Sequence, residues 1–301
     1  MDNIFNAILR SIIESITEFL PVSSTGHLFL FSYFFPFEDI ASNREEFEDL
    51  FDIFIQSGAI LSVLVLYFHK FKISSMDTIK FVLGDKSKKS GFDFLLSILI
   101  GSIPILIIGF FLKDILDGIK SSSYLLLILG TTWFLGGVGI LIQERIFKSK
   151  NELEDIENQK RLENSPDLEN TNSESTQILS LKNAFFIGFI QCVALLPGVS
   201  RSLATIVAGR SIGLSRKHAA EYSFFLAVPV LIAAGVYKLY KYWSIIEGEK
   251  IFLLLLGSFL SFLLCIFVIR LFLSYIRRHS FSVFGYYRII LGVIVLIFAL
   301  R

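Results

Sequence analysis

Six long apolar runs, separated by shorter polar segments, dominate the pattern of hydrophobic and polar positions along the chain. They cover residues 51–68, 92–112, 124–142, 221–240, 251–273 and 284–300. A helix needs about 20 mainly apolar residues to cross a bilayer, and each run approaches or exceeds that length. The pattern therefore predicts six transmembrane helices, with a polar, lysine-rich loop at 69–91 between the first two.

Two further apolar segments are interrupted at proline. In residues 14–28 (ESITEFLPVSSTGHL), Pro21 would stop a helix, and the hydroxyl residues at 23–25 would cap a new one. In the second segment the Pro-Gly pair at 197–198 breaks an apolar helix, and Ser-Arg-Ser at 200–202 opens the next. We expect each segment to form a re-entrant hairpin of two half-helices.

These hairpins divide the chain into two similar halves. Residues 1–143 and 182–301 each hold one hairpin and three spans, and the charged, Asn- and Ser-rich segment 144–181 links them flexibly. An odd number of crossings turns the second half upside down, as in an inverted-topology repeat. The expected fold is an all-α membrane protein with six transmembrane helices and two re-entrant hairpins.

Composition and charge agree with a membrane protein. Charged residues make up 18% of the chain, against roughly a quarter in soluble domains. Basic residues at 69–91 and 277–278 lie on one side and acidic residues at 38–49 on the other, so the positive-inside rule places the linker in the cytoplasm and both termini outside. A net charge of +1 gives no sign of a nucleic-acid partner. Cys192 and Cys265 lie within apolar segments and are expected to be packing residues.

Two carboxylates lie one helical turn apart before the first break. Glu14 and Glu18 would share one helix face. They could face water or pair with Arg10, but a carboxylate at membrane depth costs about 3 kcal/mol, so such residues usually mark a functional cavity. Two acids at this spacing suit a shared proton, general acid–base catalysis or a divalent cation.

Hydroxyl and imidazole side chains follow these acids. Ser23, Ser24 and Thr25 are good helix caps, and the free N–H groups at a helix start also bind anions. A single such hydroxyl is more often a cap than a nucleophile. His27 lies three residues past Ser24 on the same helical face, which makes it a candidate acid or base, although a lone histidine is usually structural.

Arg201 is the informative residue of the second break. A guanidinium is costly inside an apolar hairpin unless it snorkels to the interface, and it matches phosphate oxygens in bidentate fashion. Gly198, Ser200, Ser202 and Thr205 surround it in the sequence. Together they predict a phosphate site built from a helix start.

Weaker candidates lie in the apolar spans. Gln56, Asp52 and Glu221 could orient the acids or Arg201 through hydrogen bonds, and we group Ser223 with them as supporting. A carboxylate that stabilises a helix dipole explains Asp52 and Glu221 equally well.

The motifs resemble those of a known family, the bacterial undecaprenyl-pyrophosphate phosphatases of the bacitracin-resistance type. The resemblance rests on ExxTEFLPVSSTGH at 14–27, Gln-Ser-Gly at 56–58, PGVSRSxxT at 197–205 and EYSFFLAVP at 221–229. It covers nearly the whole chain outside the linker.

The resemblance implies an activity: removal of the terminal phosphate from a C55 polyprenyl diphosphate at the outer face of the bacterial plasma membrane. This would regenerate the monophosphate carrier for cell-wall synthesis and confer bacitracin resistance. It also implies a divalent cation, Mg²⁺ or Ca²⁺. Glu14 and Glu18 could hold this cation or protonate the leaving phosphate. The residues it marks as catalytic are Glu14, Glu18, Ser24, His27, Ser200 and Arg201. The partners expected are this lipid, membrane lipids and a second copy of the chain in a homodimer.

Two positions depart from the family's usual glycines. Ser15 follows the first acid, and Leu203 follows the Ser-Arg-Ser motif. Because glycine allows close approach of backbone and ligand, Leu203 raises a question about the width of the pocket.

The residues leave the mechanism open. Ser24 could attack phosphorus with His27 as base, or a water could attack with His27 or Glu18 as base. Inverted repeats with broken helices are also typical of secondary transporters. A transporter or flippase of an anionic lipid phosphate, without hydrolysis, is therefore the alternative function.

Overall fold

The computed structural model describes residues 2–38, 43–147 and 179–300, and within these ranges the chain forms eleven α-helices and no β-strand. The helices are α1 (Asn3–Thr17), α2 (Ser24–Phe34), α3 (Arg44–Leu66), α4 (Phe68–Val82), α5 (Lys89–Lys120), α6 (Leu125–Ile146), α7 (Leu181–Gln191), α8 (Arg201–Ser211), α9 (Arg216–Lys241), α10 (Glu249–Ile276) and α11 (Ser282–Ala299). Short 3₁₀ turns occupy Lys86–Lys88, Cys192–Leu195 and Trp243–Ile245.

Six of the helices in the described ranges, α3, α5, α6, α9, α10 and α11, are long and apolar enough to cross a membrane. They coincide with the six apolar runs, so the prediction of an all-α, multi-pass membrane protein is confirmed. Each of these helices extends beyond its apolar run at one end or at both. Helix α3, for example, begins at Arg44 inside the expected acidic loop, because Glu45 and Glu46 in its first turn favour a helix start.

The expected loop at 69–91 is wrong for most of its length. Residues Phe68–Val82 form helix α4, which packs against α5. Lysine is a good helix former, and Ile73, Met76 and Ile79 recur at helical spacing among the lysines. Counting lysines therefore concealed the helix.

The two hairpins begin from opposite ends of the bundle. The Asn3 side chain donates to the Glu38 carbonyl at 2.9 Å, which holds the start of α1 beside the end of α2. Arg216 at the start of α9 pairs with Glu144 near the end of α6 at 3.8 Å. Because α3, α5 and α6 run alternately up and down, the end where α6 finishes is opposite to the end where α3 begins.

This placement agrees with an inverted repeat, and so does the helix packing, in which the first helix of each hairpin packs against a helix of the other half. Helix α1 packs against α10, and its counterpart α7 packs against α5. The division into halves around 144–181 stays a prediction, because residues 148–178 of that linker lie outside the described residues.

Helices α6 and α11 pack closely against each other through glycine. A Cβ at Gly137 would lie 2.6 Å from the carbonyl oxygen of Gly285, and one at Gly292 would lie 2.8 Å from that of Gly130. Small residues let membrane helices approach closely. The packing of α6 against α11 holds Arg288 of α11 next to both hairpins.

The two cysteines agree with the packing role expected of them. Both are free thiols, and Cys265 is fully buried.

Candidate active site

The two helix breaks have the same local construction. Ser23 (φ 77°) and Ser200 (φ 76°) are the non-glycine residues with positive φ in the described ranges. The Ser23 hydroxyl accepts from the Gly26 N–H at 3.3 Å, and the Ser200 hydroxyl accepts from the Leu203 N–H at 3.2 Å. A serine held in this region costs about 1–3 kcal/mol and persists only where the surroundings impose it. Each break is thus a built feature that caps a helix N-terminus.

Both helix N-termini open into one cavity of about 270 Å³. The hairpins form its floor, and α3, α5 and α9 form its walls. Floor residues contributed by the two breaks are Glu18, Ser23, Ser24, Thr25, Gly198, Ser200 and Arg201. Gln56 contributes to the wall from α3. The sequence motifs from the two halves therefore meet in space, as expected.

An ion pair joins the two hairpins across the floor. The Arg201 Nη2 atom lies 3.0 Å from Glu18 Oε1, and its Nη1 donates to the Ser223 carbonyl at 2.9 Å. Arg201 and Glu18 are about nine-tenths buried, with side chains 10% and 7% exposed. The predicted proximity of the guanidinium and the acids is found, and Ser223 supports Arg201 through its backbone.

Ser24 donates its hydroxyl hydrogen to Glu18. The distance from Ser24 Oγ to Glu18 Oε2 is 2.5 Å. One carboxylate therefore contacts both the guanidinium and the serine hydroxyl. A base within hydrogen-bond reach of a hydroxyl is the geometry of an activated nucleophile.

Glu14 lies one turn behind Glu18 and is fully buried. Within the described residues, neither of its carboxylate oxygens has a hydrogen-bond partner. Its polar neighbours are Glu18, Asp52 and Ser24. Arg10, considered above as a partner for the acids, instead pairs with Asp52 at 2.9 Å and Glu48 at 3.3 Å.

Glu14 and Glu18 fit a divalent cation as part of its ligand set. Across the described parts of the chain, no three His, Cys, Asp or Glu side chains cluster into a complete metal site. Mg²⁺, however, commonly binds one or two carboxylates together with substrate phosphates and water. Glu14, with its buried unpaired oxygens, and Glu18 match that donor set.

His27 has different partners from those expected. Its Nδ1 lies 2.7 Å from the Ser23 carbonyl, and its Nε2 lies 2.7 Å from the Tyr287 hydroxyl. Since a carbonyl only accepts, Nδ1 carries the proton, and Nε2 of a neutral ring accepts from Tyr287. The imidazole thus braces the first break against α11, and the hydroxyl of Ser24 is directed to Glu18.

The remaining hydroxyls of the second motif lie behind the floor. Ser202 donates to the Leu20 carbonyl at 2.7 Å and so ties the second break to the first. Thr205 lies 2.7 Å from the Ser223 hydroxyl and supports the helix that carries Arg201. Both are positioned to orient the site.

Glu221 lies elsewhere. It accepts from the Tyr67 hydroxyl at 3.2 Å and lines a second, much smaller pocket together with Lys70 and His218.

The two departures from the family's glycines are accommodated outside the cavity. The Ser15 hydroxyl donates to the Ser11 carbonyl within α1 at 2.5 Å. Leu203 packs into the hydrophobic core. Leu203 therefore does not narrow the cavity.

Sequence reasoning missed Arg288 of α11, which is fully buried. Its guanidinium donates to the carbonyls of Pro21 (3.3 Å), Gly198 (2.9 Å) and Thr132 (3.0 Å). It therefore holds both helix breaks at once. The argument applied to Arg201, a guanidinium inside an apolar run, applies equally to Arg288 and would have found it.

Known proteins are similar to this chain over its whole length. Three relatives each carry the name undecaprenyl-diphosphatase. One from Leptospira biflexa serovar Patoc is 51% identical over 301 residues, which is the full length of both chains. One from Leptospira interrogans serovar Lai is 52% identical over 297 residues, covering 99% of this chain and 98% of the relative. One from Flavobacterium johnsoniae is 38% identical over 298 residues, covering 98% and 96%.

A family model described as bacitracin resistance protein BacA matches residues 7–294. The match includes both helix breaks and Arg288. On the strength of this match and of the full-length relatives, the chain belongs to the BacA family of bacitracin resistance proteins.

Proposed function

We propose that this protein hydrolyses undecaprenyl diphosphate to undecaprenyl phosphate and inorganic phosphate. The relatives named undecaprenyl-diphosphatase support the substrate. The observation that carries the chemistry is the contact of one buried carboxylate, Glu18, with both Ser24 and Arg201. By this reaction the protein would return the lipid carrier to cell-wall synthesis.

The floor of the cavity suits a terminal phosphate. Two helix N-termini supply N–H groups and partial positive charge, and Arg201 supplies a full charge between them. Phosphoryl transfer depends mainly on positioning and on charge stabilisation. The terminal phosphate would lie against Arg201, with Ser24 in line with the bond to the leaving group.

Ser24 is the proposed nucleophile and Glu18 its base. As Ser24 Oγ bonds to the terminal phosphorus, its proton passes to Glu18, and the bond from phosphorus to the bridging oxygen breaks. Undecaprenyl phosphate leaves with the electron pair of that bond. Water then attacks the phosphoserine and the bond from phosphorus to Ser24 Oγ breaks. The proton on Glu18 returns to Ser24 Oγ, and the water oxygen leaves as part of inorganic phosphate.

Glu14 and Glu18 would hold a divalent cation together with phosphate oxygens. When bound, the cation supplies charge neutralisation to the diphosphate. The residues of the chain supply the remaining functions: Arg201 orients the phosphate, Glu18 accepts the proton, and Arg288 fixes the two breaks.

The cavity would open on the outer side of the bacterial plasma membrane. Its walls lead toward the carboxyl ends of α5 and α9, opposite the lysine-rich helix α4. Basic segments favour the cytoplasmic side, which supports an outward-facing mouth.

The test is release of inorganic phosphate from undecaprenyl diphosphate by the purified protein in detergent. Arg201→Ala and Glu18→Ala should each lower the rate about 100-fold or more, since loss of one charge-stabilising group costs 10²–10³. Matched controls are Arg278→Ala and Glu249→Ala, both at exposed positions, and both should retain the rate. A wild-type protein that releases no phosphate would contradict the proposal and favour the transporter alternative.

A further inference from the structure

Three lysines line the outer mouth of the cavity and have no part in the chemistry above. Lys113 and Lys120 come from α5, and Lys238 comes from α9. The wall between them and the floor is apolar and includes Val230 and Leu231 of α9. Positive charge therefore occurs at two separate levels, the floor and the mouth.

The two levels are far apart. Arg201 on the floor donates to the Ser223 carbonyl of α9, and Lys238 lies fifteen residues further along the same helix. At 1.5 Å per residue this is about 22 Å of helix. An anion at the mouth would thus be separate from the phosphate group held by Arg201.

Two carboxylates hold lysines in place at the mouth. Asp49 pairs with Lys120 at 3.4 Å and with Lys238. Asp117 contacts Lys120 at 3.8 Å and Lys241 at 3.4 Å. Within this network three ammonium groups face two carboxylates, which leaves an excess of positive charge.

Lys113 adds a further charge. Its ammonium lies 5.1 Å from the ring centre of Phe110 and 5.8 Å from that of Tyr237. A lysine in the last turn of a helix is explained by the helix dipole, but Lys113 lies two turns before the end of α5. Its position on the cavity wall calls for another explanation, and an anion in the mouth supplies one.

We propose that the mouth is a second anion site, which binds inorganic phosphate on its way out from the floor. The ligand chemistry is a single phosphate group, held by Lys113, Lys120 and Lys238. This inference rests on the proposed function, since the phosphate is the product of that reaction.

The site has a kinetic signature. A phosphate at the mouth would leave the floor open to the diphosphate but block departure of the next phosphate. Added inorganic phosphate should therefore inhibit in two ways: competitively at the floor, and non-competitively at the mouth. Removing Lys113 should weaken the non-competitive inhibition alone.

The experiment measures phosphate release from undecaprenyl diphosphate at several concentrations of added inorganic phosphate. Lys113→Gln should raise the non-competitive inhibition constant about five-fold, the upper range for one partly exposed charge pair. The competitive constant and the KM for the lipid should stay unchanged. The matched control is Lys182→Gln, which removes an exposed lysine at the start of α7, outside the cavity, and both constants should keep their wild-type values.

Three other results would overturn the inference. A raised KM for the lipid with unchanged phosphate inhibition would assign the mouth to the incoming headgroup. Equal inhibition constants in Lys113→Gln, Lys182→Gln and the wild type would show that no phosphate binds there, and so would purely competitive inhibition of the wild type. Each of these results requires an active wild-type enzyme, so each is distinct from failure of the proposed function, in which no phosphate is released at all.

Discussion

Gly136 of α6 offers a direct test of the role of Arg288, because it lies against the guanidinium. A Cβ at this position would be 2.4 Å from Arg288 Nη2 and 2.9 Å from its Nε. Gly139 lies three residues along the same helix, and a Cβ there would meet nothing within 4 Å. Gly136→Ala and Gly139→Ala are therefore the same chemical change with and without contact to Arg288.

The magnitude follows from the hydrogen bonds at risk. Restoring an ordinary contact requires Nη2 to move by about 1 Å, and this atom donates to both Thr132 (3.0 Å) and Gly198 (2.9 Å). A buried carbonyl left without its donor costs about 1–3 kcal/mol. This applies to Gly198, whereas the Thr132 carbonyl lies within α6 and keeps its helical hydrogen bond. Replacing glycine by alanine in a helix returns up to about 1 kcal/mol in both variants. Gly136→Ala should thus be less stable than Gly139→Ala by about 1–3 kcal/mol.

Activity should show the same contrast. Arg288 holds both helix breaks, and a displacement of about 1 Å at a catalytic group can cost 100-fold in rate. The measurements are phosphate release and thermal unfolding in detergent, with wild type, Gly136→Ala and Gly139→Ala side by side. If the two alanine variants unfold and turn over alike, Arg288 does not organise the site.

Three further predictions concern the floor of the cavity. Arg201→Lys should lower the rate of single-turnover phosphate release about 100-fold, because one ammonium cannot reproduce the bidentate geometry of the guanidinium. A rate near that of the wild type would show that Arg201 does not hold the phosphate. His27→Asn should lower kcat by less than about ten-fold and leave the shape of the pH–rate profile unchanged, because in the proposed mechanism Glu18 and not the imidazole is the base. A pH–rate profile that loses one limb would identify His27 as the base. Ser200→Ala should unfold at a lower temperature than Ser200→Gly, by the equivalent of about 1 kcal/mol. Both variants lose the capping hydroxyl, but alanine keeps the strain of a φ of 76°, whereas glycine relieves that strain. Equal unfolding temperatures would show that the strain is negligible.

The sequence predicted the membrane helices and the two breaks because their causes are local. Length and hydropathy determine whether a segment spans the bilayer, and proline followed by serine determines where a helix stops and restarts. The meeting of Arg201 with Glu18 was also expected, since both are costly in an apolar segment unless they share a cavity. These inferences needed only residue types and their neighbours.

Other features depend on contacts across the whole chain, and local patterns do not contain them. The hydroxyl partner of His27 is Tyr287, 260 residues away, so the histidine appeared to be a partner for nearby Ser24. The mouth lysines Lys113 and Lys238 belong to different halves and meet only because α5 and α9 end side by side. Helix α4 differs from the expected loop for another reason, because a lysine-rich segment is as typical of a loop as of a helix.

The central claim is that Glu18 and Arg201, from opposite hairpins, act as one unit on one phosphate. A double-mutant cycle of Glu18→Gln and Arg201→Gln, measured as single-turnover phosphate release from undecaprenyl diphosphate, tests it most directly. Residues that act as a unit are strongly non-additive, so the double variant should be no slower than the slower single variant. Losses that multiply, each about 100-fold and together about 10⁴-fold, would show two independent groups and contradict the account.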